Sequence, residues 1–125
     1  MSHFTTIKTE IRDLNMLKKA LNSLSYKEIK ENDIVRGYMG NKQNADLVIK
    51  NTNGYDIGFV NEAGVYNIVA DFWGVKLNQD EFTNKVVQRY SYEIIKDQSA
   101  IQGFSISEES VQKDGTIKIV VQKWT

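Results

Sequence analysis

Asp71, in the run Val69-Ala70-Asp71-Phe72-Trp73-Gly74, is a lone carboxylate among apolar and aromatic neighbours at the end of a strand-like segment. A carboxyl in such surroundings can serve as a general base, and it can equally cap the turn that follows it; capping is the expected role. His3 is the only histidine of the chain. Third from a free amine, behind Met1 and Ser2, it could chelate a square-planar Cu(II) or Ni(II) ion. Initiator methionine before a residue as small as serine is usually trimmed, so His3 is expected to be a partly exposed polar side chain at the start of a strand.

Acid–base catalysis by two carboxyls needs both to face one pocket with separated pKa values. Asp80-Glu81 falls in the first turn of a predicted helix, where negative charge complements the macrodipole. Glu108-Glu109 points to opposite faces of a predicted strand. Gly37-Tyr38-Met39-Gly40 has the GXXG outline of the KH nucleic-acid loop. Strand candidates flank it, however, and Tyr and Met occupy its middle in place of basic residues, so a glycine-rich turn is expected. No dinucleotide loop, phosphate loop or histidine-rich metal signature occurs.

The aromatics Tyr55, Phe59, Tyr66, Phe72, Trp73 and Trp124 could form a stacking platform for single-stranded nucleic acid. Lysine and arginine do not alternate with them, and aromatics in such strands ordinarily fill the core. Those left exposed suit contact with another protein, which makes Tyr55, Tyr66 and Trp73 the candidate binding surface.

The composition narrows the function classes further. A chain of 125 residues with 41% hydrophobic residues is expected to form a single domain, residues 1–125, with one ordinary core. Sixteen basic residues balance sixteen acidic ones, which disfavours a general nucleic-acid coat. The absence of cysteine excludes disulfides, thiolate metal sites and cysteine nucleophiles. No apolar run is long enough to span a bilayer, and no targeting segment opens the sequence, so the expectation is a soluble protein made where it works, or one whose targeting segment lies outside this sequence.

Residues 3–9 read as a first strand. Asp13 offers an N-cap to a helix over 13–24, in which Leu14, Leu17, Leu21 and Leu24 share one face. Two short strands are expected between Tyr26 and Tyr38, separated by Glu31-Asn32-Asp33, and residues 40–44 read as a loop. Strands at 45–50, 55–60 and 65–72 follow as a meander, with a two-residue turn at Asn53-Gly54 and a second turn over 61–64. Asn78 and Glu81 open a long helix over 79–100, which Gly103 ends. A hairpin around Asp114-Gly115 closes the chain. The expected fold class is α+β: a mainly antiparallel β-sheet with two amphipathic helices packed on one face.

The opening MSHFTTIKTEIRD, the LKKAL of the first helix and the C-terminal QRYSYEIIK, QGF and DGTIKIVVQKW together resemble the hypothetical chloroplast reading frame thirty-five family. That group is a domain of unknown function found on plastid genomes and in cyanobacteria. Its members begin MSHFS, from which Thr5 departs conservatively. The likeness covers essentially the whole chain and makes His3 part of a family signature with no reaction attached. It implies a protein of the chloroplast stroma, or of the cytoplasm in a cyanobacterium, with no established reaction or cofactor. It also points to an ATPase of the AAA type as a candidate partner. Taken together, the expectation is a non-enzymatic protein-binding or adaptor module without catalytic residues, metal or cofactor, acting away from membranes, with single-stranded RNA binding as the alternative.

Overall fold

The computed structural model describes residues 3–113 and 116–123, with the side chains of residues 104–108 left aside. Five strands, β1 (Thr5–Ile7), β2 (Ile29–Arg36), β3 (Lys42–Ile49), β4 (Ile57–Glu62) and β5 (Val65–Ala70), form one antiparallel sheet in the order β1-β5-β4-β3-β2. The fold is α+β, with the helices α1 (Leu14–Ser23), α2 (Phe72–Val75) and α3 (Gln79–Ile101). The hairpin of β6 (Phe104–Val111) and β7 (Ile117–Lys123) makes a separate two-stranded sheet. The expected turn at Asp114-Gly115 and Trp124 lie outside the described residues.

α1 starts where the sequence indicates. The Asp13 carboxylate accepts from Met16 N at 3.1 Å, satisfying one of the N–H groups that a helix start leaves without an intrahelical partner. Met16, Leu17, Ala20 and Leu21 are buried, and full burial of each leucine contributes about 2–3 kcal/mol. Asn78 caps α3 in the same way, its side chain accepting from Glu81 N at 3.0 Å. The Tyr90 hydroxyl of α3 accepts from the backbone N–H groups of Arg12 and Asp13, at 3.1 and 3.0 Å, and so pins the start of α1.

The main core lies between the helices and one face of the sheet. Leu17 and Leu21 meet Leu47, Ile49, Ile57, Phe59, Ile68 and Ala70, with Phe82 and Val86 of α3 closing the layer. On the opposite face a smaller cluster joins Val35, Ala45 and Val48, with Phe4 and Val60 packed against it.

Four sequence expectations need correction. The stretch read as two strands is one continuous strand, β2, whose register against β3 holds on both sides of Asn32. Asn32 takes φ 50°, a left-handed conformation asparagine tolerates better than most residues, and so kinks the strand without ending it. Strand β3 begins at Lys42, inside the expected loop. The β3–β4 connection runs from Lys50 to Asp56 and is no two-residue turn: Gly54 N bonds Asn51 O at 3.3 Å within it, and Tyr55 belongs to it and not to β4. Phe72 leaves the strand expected for it and opens α2.

The β4–β5 hairpin does use a two-residue turn, Ala63-Gly64, with φ of 55° and 88°. Two positive φ values suit asparagine–glycine and strain alanine. Ala63→Asn is therefore expected to raise the unfolding free energy by about 0.5–1 kcal/mol, read from urea midpoints, whereas Ala63→Val should lower it. An unchanged midpoint for both variants would mean that the turn carries no strain.

The β6–β7 hairpin folds back along α3, with Glu109 as the fastening. The Tyr92 hydroxyl donates to its carboxylate, Arg89 Nη1 lies 3.3 Å from Oε1, and the guanidinium sits 4.8 Å from the centroid of the Tyr92 ring. Burial foremost, and the Glu109 charge after it, push the Tyr92 phenol up to about 12.

Candidate functional site: an aromatic tip braced by Asp71

Three connections meet at one end of the five-stranded sheet: the β2–β3 turn, the β3–β4 loop and the β5–α2 junction. Asp71 holds two of them together. Its Oδ1 accepts from Gly74 N at 3.4 Å, capping α2, and its Oδ2 accepts from Tyr38 N at 3.3 Å. The residue is almost fully buried and both of its oxygens face backbone donors, so it acts as a brace. β1 reaches the same end, because Thr5 pairs with Ala70. Phe4 lies against Gly37, where an added Cβ would come within 2.9 Å of the ring, and the exposed His3 precedes it.

On this brace stands Trp73, 71% exposed. Two tyrosines hold its indole edge-on: Tyr38, with ring centroids 6.1 Å apart and planes at 87°, and Tyr55, at 6.4 Å and 68°. Tyr55 in turn lies against Gly74, where a Cβ would fall 1.9 Å from Cδ1, so only glycine admits the ring. Asn53 Nδ2 donates to Gly74 O at 3.1 Å and fastens the loop to α2. Met39, 83% exposed, projects beside Tyr38 from the β2–β3 turn with φ 50°.

Beneath the loop lies a buried carboxylate that sequence reading missed. Asp56 accepts from Arg36 Nε at 2.7 Å, Arg36 Nη2 at 2.8 Å, Asn51 N at 2.9 Å and Arg36 N at 3.0 Å. Lys50 Nζ stands 3.2 Å away. Burial, the largest single influence, pushes this carboxyl upward. The hydrogen bonds from Arg36, Asn51 and Lys50 together outweigh it and hold the group at about 2. Nothing in the sequence pattern singles out Arg36 and Asp56, which lie 20 residues apart and meet only in the folded chain.

Of the candidate surface Tyr55, Tyr66 and Trp73, the structure brings Tyr55 and Trp73 together and leaves Tyr66 out. Tyr66 sits toward the opposite end of β5, its N–H donating to Ile11 O at 2.7 Å and its ring packed on the core. Tyr38 takes its place. The Gly37–Gly40 segment is a 3-10 turn between two strands, unlike the KH loop, which joins two helices. Phe59 is buried in the core, and Phe72 packs against it with its ring 6.3 Å from that of Phe82. A cleft of about 370 Å³ between Tyr26, Ile57, Val75 and Leu77 opens beside the same loop, with Asn51 and Asn53 on its rim. Among the described residues no helix is long and apolar enough to cross a membrane.

Comparison with known proteins adds a family and no reaction. The family described as "Protein of unknown function (DUF1257)" matches residues 20–120. The uncharacterized protein ycf35 of Guillardia theta is 41% identical over 99% of this chain and 98% of its own length. Its namesakes from Cyanophora paradoxa and Pyropia yezoensis are 39% and 37% identical over the same shares. These relatives are plastid-encoded, in keeping with a plastid location. No solved structure matches. With a family match over most of its length and relatives similar from end to end, the chain belongs to the DUF1257 family, the group of the ycf35 proteins.

Proposed function

We propose that the chain is a non-enzymatic binding module that inserts Trp73 into an apolar pocket of a protein partner in the plastid stroma. One observation carries the reading: an indole that is mostly exposed yet held by two edge-on tyrosines, on a helix turn capped by a buried aspartate. A fixed aromatic anchor loses little conformational entropy on binding, and Trp and Tyr dominate interface hot spots. Met39, exposed on the same turn as Tyr38, adds an adaptable apolar side chain. Single-stranded RNA would need several cations around the indole; Arg36 is tied to Asp56, which leaves Lys42 and Lys76 as the exposed cations near Tyr38 and Trp73 in sequence.

The test is affinity capture from plastid extract with the wild type, Trp73→Ala and, as control, Ile101→Ala, which removes an exposed side chain from the end of α3. A stoichiometric protein, an ATPase of the AAA type among the candidates, is expected with the wild type and the control. Trp73→Ala should weaken its binding about 30-fold, the loss of a hot spot worth about 2 kcal/mol. Equal capture by Trp73→Ala would overturn the reading. So would binding of labelled single-stranded RNA at low salt that Trp73→Ala abolishes.

A further inference from the structure

The two sheets present four edge strands, and three are guarded in ways that natural sheets use against pairing. β1 is only three residues long. β2 carries Lys30, Glu31 and Asp33 and is kinked at Asn32. β6 breaks its ladder where the register shifts between Ile106 and Glu108. β7 carries Lys118 and Lys123, but it runs Ile117-Lys118-Ile119-Val120-Val121 without proline, glycine, a kink or an inserted residue. Among the described residues no strand pairs with its outer side. Val120 and Val121 are 38% and 44% exposed.

The backbone polarity of that edge follows from one hydrogen bond. Gln112 N donates to Thr116 O at 2.7 Å, and antiparallel ladders alternate from there. Lys118, Val120 and Gln122 therefore turn their backbone groups toward β6, while Ile117, Ile119, Val121 and Lys123 turn theirs outward.

We infer that this edge pairs with the same edge of a second copy of the chain, β7 antiparallel to β7 about a two-fold axis at Val120, giving a four-stranded β6-β7-β7-β6 sheet. Val120 is the midpoint of β7, so this register uses the whole strand. It sets Ile119 opposite Val121 and Ile117 opposite Lys123, so each outward N–H and C=O meets its counterpart. Lys118 faces Gln122, no like charges stand opposed, and Val120 faces its own symmetry mate.

The helices allow the pairing. A two-fold axis normal to the sheet keeps both copies of α3 on one face, and α3 packs mainly on β6. The two β6 strands would lie about 14 Å apart, three strand spacings, which exceeds the 8–10 Å or so that two packed helices need. A two-stranded ribbon is marginal by itself, whereas four strands under two helices bury a continuous apolar layer. This inference concerns other elements than the Trp73 tip and stands without the function proposed above.

Sedimentation of the full-length chain over a wide concentration range, together with cysteine cross-linking, tests it. The wild type is expected to reach twice the 14.3 kDa chain mass. Val120→Lys opposes two lysines at the axis and should raise the dimer Kd about tenfold or more. The chain has no native cysteine, and in a non-hydrogen-bonded pair the two Cα atoms stand about 4.5 Å apart, so Val120→Cys should form a covalent dimer on oxidation. Lys118→Cys, about 13 Å along the strand from its mate, should not. A wild type of one chain mass at every concentration, with no linkage through Val120→Cys, overturns the inference, and should Val120→Lys misfold the cysteine pair decides alone. Linkage through Lys118→Cys in preference to Val120→Cys refutes the register, and a monomer whose β7 instead takes up an extended peptide of another protein refutes the second copy as occupant.

Discussion

Asp56→Ala is expected to lower the unfolding free energy by about 3 kcal/mol at pH 7, read from urea midpoints. The carboxylate is fully buried, and its loss leaves the N–H groups of Asn51 and Arg36 without their acceptor. Each buried donor stranded in this way costs about 1–3 kcal/mol. Arg36 loses its carboxylate partner, while Lys50 keeps Asp33 at 3.6 Å; their side chains are 41% and 23% exposed and can turn toward water, which keeps the loss below the upper end of the range. The folded carboxyl stands at about 2 against an ordinary 3.8, so its contribution to stability is complete above 3.8 and disappears as pH falls through 2. After discounting for solvent around the two cations, that contribution is about 1–2 kcal/mol. The wild type should therefore lose more stability than Asp56→Ala between pH 5 and pH 1.5, roughly the window bracketing both values. Parallel pH curves for the two proteins, or equal midpoints at pH 7, would show that the Arg36 clasp is idle.

Where structure is decided locally, the sequence was legible. Asp13 and Asn78 cap their helices through bonds spanning three residues, and the leucines of α1 announce their face by spacing alone. The misread boundaries depend on distant partners. The β3–β4 connection is long because Asp56, inside it, bonds Arg36 on β2, so Tyr55 cannot pair as part of a strand. Phe72 leaves β5 because Asp71 turns inward to cap Gly74 and to accept from Tyr38, and the second of these bonds spans 33 residues. The candidate surface divides in the same way. Trp73 and Tyr55 were found by type, but Tyr66 shares its strand face with Ile68 and Ala70 and so packs on the core. Tyr38 was missed because its contact with Trp73 exists only after the sheet has formed.

Gly58→Ala should be nearly as damaging as loss of Asp56, for a steric reason that also makes it correctable. Gly58 lies in β4 opposite Val48 on one side and Val69 on the other, on the sheet face away from the main core. A Cβ built there would stand 2.2 Å from Val35 Cγ2 and 3.0 Å from Ala45 Cβ. Val35 is fully buried and branched at Cβ, so it has neither room nor a free rotamer with which to retreat. Overpacking of this kind costs about 2–3 kcal/mol, or a fall in Tm of about 10 °C for a domain of this size. Val35→Ala alone opens a cavity and is expected to cost about 2 kcal/mol. In combination the new methyl group enters the space that the valine vacates, so the double variant should be at least about 1 kcal/mol more stable than the sum of the single losses predicts. Thermal unfolding of the three variants measures that coupling. Strict additivity would mean that Gly58 is required for its backbone conformation or for another neighbour, and that the contact with Val35 is incidental.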